Sequence, residues 1–239
     1  MGTRPASLRP KTEFPAPPAD LRLTLEELGP TFIKVGQLLS TRADLLPPAY
    51  QDELAKLQDS GPRIPVDAVR DTLQNELHAD PDRAFASFEE KPLAAASIGQ
   101  AHAATLHDGT EVVVKVRRPG VVEVVEQDSE ILQNLTARAS RRWEAAARYD
   151  LVDLVYEFAG SLRAQLDFLR EGRNAERFAT NFAQQPDVQI PRVFPELTTS
   201  RVITLERLYG MKITDLGALS AAGVDRHGLR TGPPASPRR

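Results

Sequence analysis

Apolar residues recur three and four positions apart in the first third of the chain, which is the spacing of helices with one buried face. Helices are predicted over residues 30–42 and 48–59, and again after Pro65. The first two begin at a proline, which suits the first helical turn because the amide hydrogen that proline lacks has no partner there. The stripe of the third helix consists of Val66, Val69, Leu73 and Leu77.

The periodicity then changes to two. The stretch from Ser87 to Val116 predicts three short strands. Between two of them, Asp108-Gly109 supplies the positive φ of a tight hairpin turn. In the strand after this turn, Val112, Val114 and Val116 face one way, and Glu111, Val113, Lys115 and Arg117 face the other. A lysine on such a strand must reach solvent or meet a partner.

Helical spacing returns in the second half of the chain. One helix is predicted over residues 121–142, and a long helical run follows Asp150, which we expect to cap it. We expect this run to bend or break near Gly160 or Gly172. Strands over residues 188–194 and 201–210 and a helix over residues 214–230 come last. One five-stranded antiparallel sheet backed by a long helix accommodates this order of elements.

Composition narrows the classes of protein. Of the 239 residues, 41% are hydrophobic and 26% are charged, as in ordinary soluble globular proteins. The net charge of -3 excludes the strong basic excess that is typical of nucleic-acid-binding proteins. The absence of cysteine excludes disulfides and thiolate metal sites, and the four scattered histidines lack metal-ligand spacing. No apolar stretch approaches the roughly 18 residues that span a bilayer.

A loop of small residues, a hairpin, a strand lysine and a later helix acid follow one another along the chain. The loop is Ala94-Ala95-Ala96-Ser97, and the lysine is Lys115 in "VVVKV". The N-lobe of protein kinases is arranged in this way. Its loop covers the nucleotide phosphates, its strand lysine holds the α- and β-phosphates, and a helix glutamate orients that lysine.

The sequence resembles the UbiB-like atypical kinases, also called aarF-domain-containing kinases. Lys34-Val35-Gly36-Gln37 resembles the K-x-G-Q motif of that family. The alanine loop resembles the family's replacement of the kinase glycine loop, and it continues into the similar string "IGQAHAATLHDGTEVVVKVRRPG". The resemblance covers about Leu21 to Asp215.

The resemblance implies a nucleotide site, residue by residue. Its nucleotide-binding residues would be Ala94, Ala95, Ala96, Ser97, Lys115, Glu171, Glu206 and Leu208. Glu171 would be the partner of Lys115, and backbone groups near Glu206, Arg207 and Leu208 would meet adenine. A lid motif over the site would comprise Lys34, Gly36, Gln37 and Asp167. The implied cofactors are ATP or ADP with Mg²⁺, bound weakly or not at all by this chain.

Two features depart from the family pattern. Gln165 replaces the glutamate of the family's E-x-D motif, which would leave Lys34 a neutral partner in place of a charged one. After Leu216 the chain has no D-F-G motif and no catalytic loop with its Asp and Asn. No catalytic residue and no metal ligand is therefore assigned here, and we expect the C-lobe to be largely absent from a chain that ends at its start.

The implied fold class is α+β. It is a protein-kinase-like N-lobe, with a five-stranded antiparallel sheet and a long helix, plus an N-terminal helical extension. The predicted division is a disordered lead-in over 1–20, the helical extension over 21–87, the N-lobe with a helical insert over 88–210, the first helix of a truncated C-lobe over 211–230, and a disordered tail over 231–239.

The implied function is that of the N-terminal part of an atypical kinase or ATPase, linked to isoprenoid-quinone (ubiquinone) biosynthesis and inactive alone. The alternatives are a non-catalytic, pseudokinase-like binding module and a non-functional truncated product. The implied partners are an adenine nucleotide and either a separate C-lobe polypeptide or proteins of lipid metabolism. Nucleic acid and a transmembrane segment are excluded, and the implied location is cytoplasmic or peripheral to a membrane.

Plainer interpretations of the same residues stay open from the sequence. Lys115 is compatible with a solvated strand lysine, and Lys34 with Gln37 is compatible with an ordinary exposed helix face. Glu171 lies near Arg170 and Arg173, so it is also compatible with a surface ion pair. The alanine loop is compatible with a tightly packed turn.

Overall fold

The computed structural model describes residues 16–57, 61–142, 150–211, 213 and 215–224. Within the chain, contacts define a large unit that ends at Glu206 and a small one that starts at Arg207. The predicted disordered tail at 231–239, and most of the predicted lead-in, lie outside the described residues.

The first three helices of the predicted helical extension pack on one another. They are α1 (Pro18–Leu28), α2 (Pro30–Ser40) and α3 (Pro48–Leu54). Their shared core contains Leu25, Ile33, Leu54 and Leu57. Helix α1 begins three residues before the predicted start of order at Leu21. Helix α3 ends at Leu54, five residues before its predicted end, and residues 58–60 lie outside the description.

The sheet has five antiparallel strands. They are β1 (Ser87–Phe88), β2 (Ala94–Ala95), β3 (Gly99–Thr105), β4 (Glu111–Arg117) and β5 (Val202–Glu206). Their order is β1-β3-β4-β5, with β2 also paired to β3. The predicted hairpin joins β3 to β4, and Gly109 has the positive φ of 86° that its turn requires.

The predicted number of five strands is confirmed, but the segments that form them differ from the prediction. The stretch from Ser87 to Val116 holds four strands in place of three. The prediction of a strand over residues 188–194 is wrong, because this segment makes only an isolated bridge between Val193 and Leu205. Pro191 within it has no amide hydrogen to give to a ladder.

One face of the sheet carries the main apolar core. Val112, Val114 and Val116 are fully buried there, as the alternation of β4 predicts. They pack against helix α4 (Val66–Leu77), through Val69 and Leu73. The short helix α5 (Pro81–Ala84) precedes Phe85, which joins the same core.

Three long helices follow β4 in the chain. Helix α6 spans Val121–Arg142, as predicted, and helices α7 (Leu151–Gln165) and α8 (Phe168–Phe182) follow it. The break between α7 and α8 falls at Leu166 and Asp167, so the expectation of a break near Gly160 or Gly172 is wrong. Asp167 starts the new helix, because its carboxylate accepts a hydrogen bond of 3.1 Å from the Leu169 amide.

The predicted cap at Asp150 is also wrong. Asp150 has a left-handed backbone with φ of 51°, and its side chain makes no capping hydrogen bond. Its backbone carbonyl accepts from the Leu154 amide instead. An N-cap residue typically has an extended backbone, from which its side chain reaches the amides of the first turn.

The small unit contains helix α9 (Leu216–Ala221). Asp215 caps it by accepting a 3.0 Å hydrogen bond from the Ala218 amide. The helix is shorter than the predicted 214–230, and the part of that prediction after Val224 lies outside the described residues. Across the described chain, every helix falls short of the length and apolar character that a bilayer crossing requires.

Candidate nucleotide-binding site

Lys115 and Glu171 form the centre of the site. The Lys115 ammonium on β4 lies 2.8 Å from Oε2 and 3.1 Å from Oε1 of Glu171, in the first turn of α8. The two side chains remain 28% and 39% exposed, so the pair is within reach of a molecule from solvent. Arg173 lies nearest to Asp167 instead, at 3.6 Å. The structure therefore favours the interpretation of Glu171 as the partner of Lys115 over its interpretation as a surface ion pair with a neighbouring arginine.

Phe168 is a member of this site that the sequence analysis missed. The Lys115 ammonium lies 4.5 Å from the centroid of its ring, within the range of a cation–π interaction. Phe168 is fully buried at the start of α8. A signal was present, since residues 168 and 171 are three apart and share one helix face.

A row of residues crosses the sheet through Lys115. The register pairs Ala94 of β2 with Ala101 of β3, Ala101 with Lys115, and Lys115 with Ile203 of β5. Directly opposed residues of antiparallel strands project from the same face. The alanine loop and the lysine thus begin on one face of the sheet, two strands or about 10 Å apart.

This face is more open than the opposite one. On the Lys115 face, the side chains of Ala101, Val113 and Leu205 are only partly buried, whereas Ala103 and Ile203 are buried. The three valines that project from the other face of β4 are fully buried. The site therefore combines a cation with a partly open apolar surface.

The alanine loop is held by backbone hydrogen bonds. Ala96 donates to the Gly99 carbonyl at 2.8 Å, which closes the turn between β2 and β3. Gly61 donates to the Ala95 carbonyl at 3.2 Å. Arg118 donates to the carbonyls of Ala96 and Ser97, each at 3.1 Å. Gly61 and Arg118 were not singled out by the sequence analysis.

The predicted hinge residues fall in different units. Glu206 ends β5; its amide donates to the Arg192 carbonyl at 2.8 Å, and its Oε2 accepts from the Arg192 amide at 3.2 Å. Leu208 belongs to the small unit, where its side chain is exposed.

The predicted lid residues lie on α2 and at the start of α8. Gly36 is buried, and Gln37 donates to the Leu57 carbonyl at 3.1 Å. Lys34 is partly buried on the same helix. Asp167 caps α8, and Gln165 is the exposed last residue of α7. Gly36 and Gln37 thus serve the packing of α2, and Asp167 serves the helix that carries Glu171.

Buried polar groups occupy the opposite face of the sheet. Gln100 accepts from the Ile64 amide at 2.8 Å and lies 2.9 Å from Nε2 of His102. Nδ1 of His102 lies 2.8 Å from the Glu89 carbonyl. Both side chains are almost fully buried, and burial lowers the pKa of His102. In the described part of the chain, no group of three or more His, Asp or Glu residues is placed to hold a metal ion.

Comparisons with known proteins indicate a kinase-like protein, in agreement with the fold. The model of the ABC1 atypical kinase-like domain matches residues 56–232, more than half of the chain. A "Probable protein kinase UbiB" from Azotobacter vinelandii is 43% identical over 205 residues, which cover 86% of this chain and 38% of that protein. The uncharacterized protein sll0095 from Synechocystis is 43% identical over 203 residues, covering 83% and 36%.

A solved structure is also similar. It is titled as the complex of Rv3197 with erythromycin from Mycobacterium tuberculosis, and it matches with a TM-score of 0.54 and 31% identity. The match covers 80% of this chain and 48% of that one. The chain thus spans well under two thirds of the length of these relatives. Together with the five-stranded sheet, these matches identify the fold as a kinase-like N-lobe.

Proposed function

The chain belongs to the ABC1 atypical kinase-like family, and from this membership we propose that its N-lobe binds an adenine nucleotide, with Lys115 on the phosphates. The observation that carries the proposal is the partly exposed ion pair between Lys115 and Glu171 on this face of the sheet. A lysine is a compact, flexible cation with three donors. It can keep the Glu171 contact and still donate to a phosphate oxygen.

Other residues have supporting roles in this proposal. Glu171 and Phe168 orient the ammonium, and the partly open surface of Ala101, Val113 and Leu205 takes the adenine ring. The backbone of Glu206, at the end of β5, hydrogen-bonds the ring. Because the Glu206 amide already donates to Arg192, its carbonyl is the group that remains for adenine.

The loop of Ala94, Ala95, Ala96 and Ser97 covers the phosphates. Each of its residues carries a Cβ, which limits the close backbone approach that glycine allows. We therefore expect nucleotide handling that differs from that of a kinase with a glycine loop. In the lid motif, Gly36 and Gln37 fix α2 in its helical packing, Asp167 fixes the start of α8, and Lys34 is proposed to act at the nucleotide site.

The described residues offer no acidic cluster that fits Mg²⁺. We propose that this chain alone binds nucleotide without turning it over. A role in isoprenoid-quinone (ubiquinone) metabolism, at the cytoplasmic side or at a membrane surface, is proposed from the names of its UbiB relatives.

A second candidate function is that of a non-catalytic binding module. The exposed apolar side chains of the small unit favour it; they are Leu208, Tyr209, Met211, Ile213 and Leu216. Exposed apolar residues close together in the chain are typical of surfaces that associate. A separate C-lobe polypeptide or a protein of lipid metabolism is the proposed partner. Light scattering that shows a strict monomer at all concentrations would count against self-association through them.

Titration of the purified chain with a fluorescent ADP tests the main proposal. Lys115→Ala should weaken binding about 10- to 100-fold, since a hydrogen bond to a charged group contributes roughly 1.5–3 kcal/mol. Lys56→Ala is the matched control, because this exposed lysine pairs with Glu53 in the helical extension. Equal affinities of Lys115→Ala and wild type would reject the site, and absence of binding in the wild type would reject the function.

A further inference from the structure

Arg118 joins two separate segments of backbone. It lies just after β4, three residues beyond Lys115. Its Nη2 donates to the Pro62 carbonyl at 2.6 Å and to the Ala96 carbonyl at 3.1 Å, and its Nε donates to the Ser97 carbonyl at 3.1 Å. The planar, rigid guanidinium holds these three oxygens in one fixed arrangement.

Gly61 brings the same two segments into close approach. A Cβ added at residue 61 would lie 2.5 Å from the Ala96 carbonyl oxygen and 2.8 Å from Nη2 of Arg118. Both distances are shorter than van der Waals contact, so only glycine fits without a shift. The Gly61 amide also donates to the Ala95 carbonyl. Three consecutive carbonyls of the loop, those of Ala95, Ala96 and Ser97, are therefore taken by Gly61 and Arg118.

These hydrogen bonds fix more than the carbonyls. A peptide unit is planar and trans, so its N–H points opposite to its C=O. Holding the carbonyls of residues 95–97 therefore fixes the directions of the amides of residues 96–98, of which the Ala96 amide already donates to the Gly99 carbonyl. Backbone amides of a loop are the groups that contact phosphate oxygens in nucleotide sites.

The contacts extend toward the helical extension. Residues 61 and 62 lie between α3 and α4, and Gln37 of α2 donates to the carbonyl of Leu57, at the start of the same connection. The alanine loop is thus tied to the segment that the K-x-G-Q helix also contacts.

We propose that Arg118 is a positioning residue of the nucleotide site: it holds the alanine loop on Gly61–Pro62 and fixes its peptide planes, without touching the nucleotide. The assignment rests on the proposed nucleotide-binding function. It adds a residue that acts through the loop backbone rather than through the phosphates.

Hydrogen exchange in the nucleotide-free chain tests the contact directly. In Arg118→Met, amides of residues 94–99 should exchange about tenfold faster, the change expected when net hydrogen-bond stabilisation of the loop is lost. Gly61→Ala should have the same effect by forcing the two segments apart. The matched controls are Arg163→Met, which removes the exposed pair with Glu126, and Gly160→Ala, whose Cβ meets nothing within 4 Å. Unchanged exchange in both test variants would overturn the proposal.

Nucleotide titration separates positioning from a general structural role. Arg118→Met should weaken ADP about tenfold while adenosine, which has no phosphate for the loop to contact, binds as to the wild type. Arg118→Lys, with fewer and differently placed donors, should lie between. Equal loss of ADP and adenosine, or an unchanged ADP affinity with a faster-exchanging loop, would refute the positioning role.

The design keeps the two proposals distinguishable. A wild-type chain that binds no nucleotide would reject the proposed function, and the positioning role of Arg118 would fall with it. The exchange experiment would still establish whether Arg118 holds the loop. Thermal unfolding of each variant identifies loss of fold, and Arg118→Lys and Gly61→Ala replace Arg118→Met should that variant not fold.

Discussion

Glu171 meets Lys115 through both carboxylate oxygens, at 2.8 and 3.1 Å, across 56 residues of chain. The contact joins strand β4 to helix α8. It is partly exposed, so water screens the charges and its contribution to stability is small, while its position fixes where the ammonium lies.

Glu171→Gln should affect ligand binding more than folding. The neutral amide keeps a hydrogen bond but loses the charge that holds the ammonium. We expect a change in the free energy of unfolding of at most about 1 kcal/mol, the range of partly exposed ion pairs. Affinity for the fluorescent ADP should fall severalfold. Denaturant unfolding and titration of one protein preparation check both, and a large destabilisation with unchanged affinity would contradict this view.

Phe168→Leu should remove the cation–π interaction that helps to hold the Lys115 ammonium in place. A double-mutant cycle with Lys115→Met should give a coupling energy of about 0.5–1 kcal/mol, the range of a cation–π pair at an accessible site. Denaturant unfolding of the four proteins measures it. Phe85→Leu serves as a control, because Phe85 is equally buried in the core on the other side of the sheet. A coupling of zero would show that Phe168 acts by packing alone.

Gly36→Ala should destabilise the helical extension. The added Cβ would lie 2.2 Å from Cδ1 of Leu57 and 2.9 Å from Cδ1 of Leu25, so these two buried side chains must shift within a packed core. Overpacking of this kind costs roughly 1–3 kcal/mol. Gly160→Ala, in the open on α7, should instead be neutral or stabilising. Thermal unfolding of both variants decides, and equal melting temperatures would contradict the close packing at Gly36.

His102 should make the fold sensitive to mild acid. Its Nδ1–H donates to the Glu89 carbonyl and its Nε2 accepts from Gln100, an arrangement that requires the neutral ring. Burial lowers the pKa of His102 from the ordinary 6.5. Below about pH 6.5 the unfolded chain therefore binds a proton that the folded chain does not, and stability falls as the pH falls toward the folded pKa.

The measurement is the free energy of unfolding between pH 5.5 and 7.5. The contribution of His102 to the slope is at most about 1.4 kcal/mol per pH unit, and it disappears above pH 7. His102→Gln should flatten the slope, although the variant is less stable overall. His107→Gln is the control, since that ring is exposed. An identical slope in wild type and His102→Gln would show that His102 does not titrate on unfolding.

Local patterns predicted the sheet hairpin and the buried side of β4. The Asp108-Gly109 turn and the alternation of three valines depend on residues that are close in the chain, so the sequence pattern alone predicts them. The pairing of Lys115 with Glu171 needed more than periodicity, because its partners lie far apart in the chain. It came from the kinase-like order of the motifs.

Long-range contacts account for what the sequence left out. Arg118 and Gly61 act through backbone carbonyls, which leave no trace in side-chain patterns. The helical run breaks before α8 because Asp167 caps the new helix. Gly160 and Gly172 were each plausible places for the break, and the sequence alone did not rank them below Asp167. The segment 188–194 has β-like composition, but Pro191 and its isolated bridge keep it out of the sheet.

Gly172 adjoins Glu171 on the helix that packs over β5. A Cβ at this position would lie 3.4 Å from Cγ1 of Val193 and 3.8 Å from Cδ1 of Ile203, which sits opposite Lys115 in the strand register. These are ordinary van der Waals contacts, so the helix packs on the strands with room for a methyl group at 172, and a larger side chain would push it away. The four methylenes of a lysine limit how far its ammonium can reach, so the distance between α8 and the strands decides how closely Lys115 approaches Glu171. A residue larger than alanine at 172 would lengthen that contact without altering either charge.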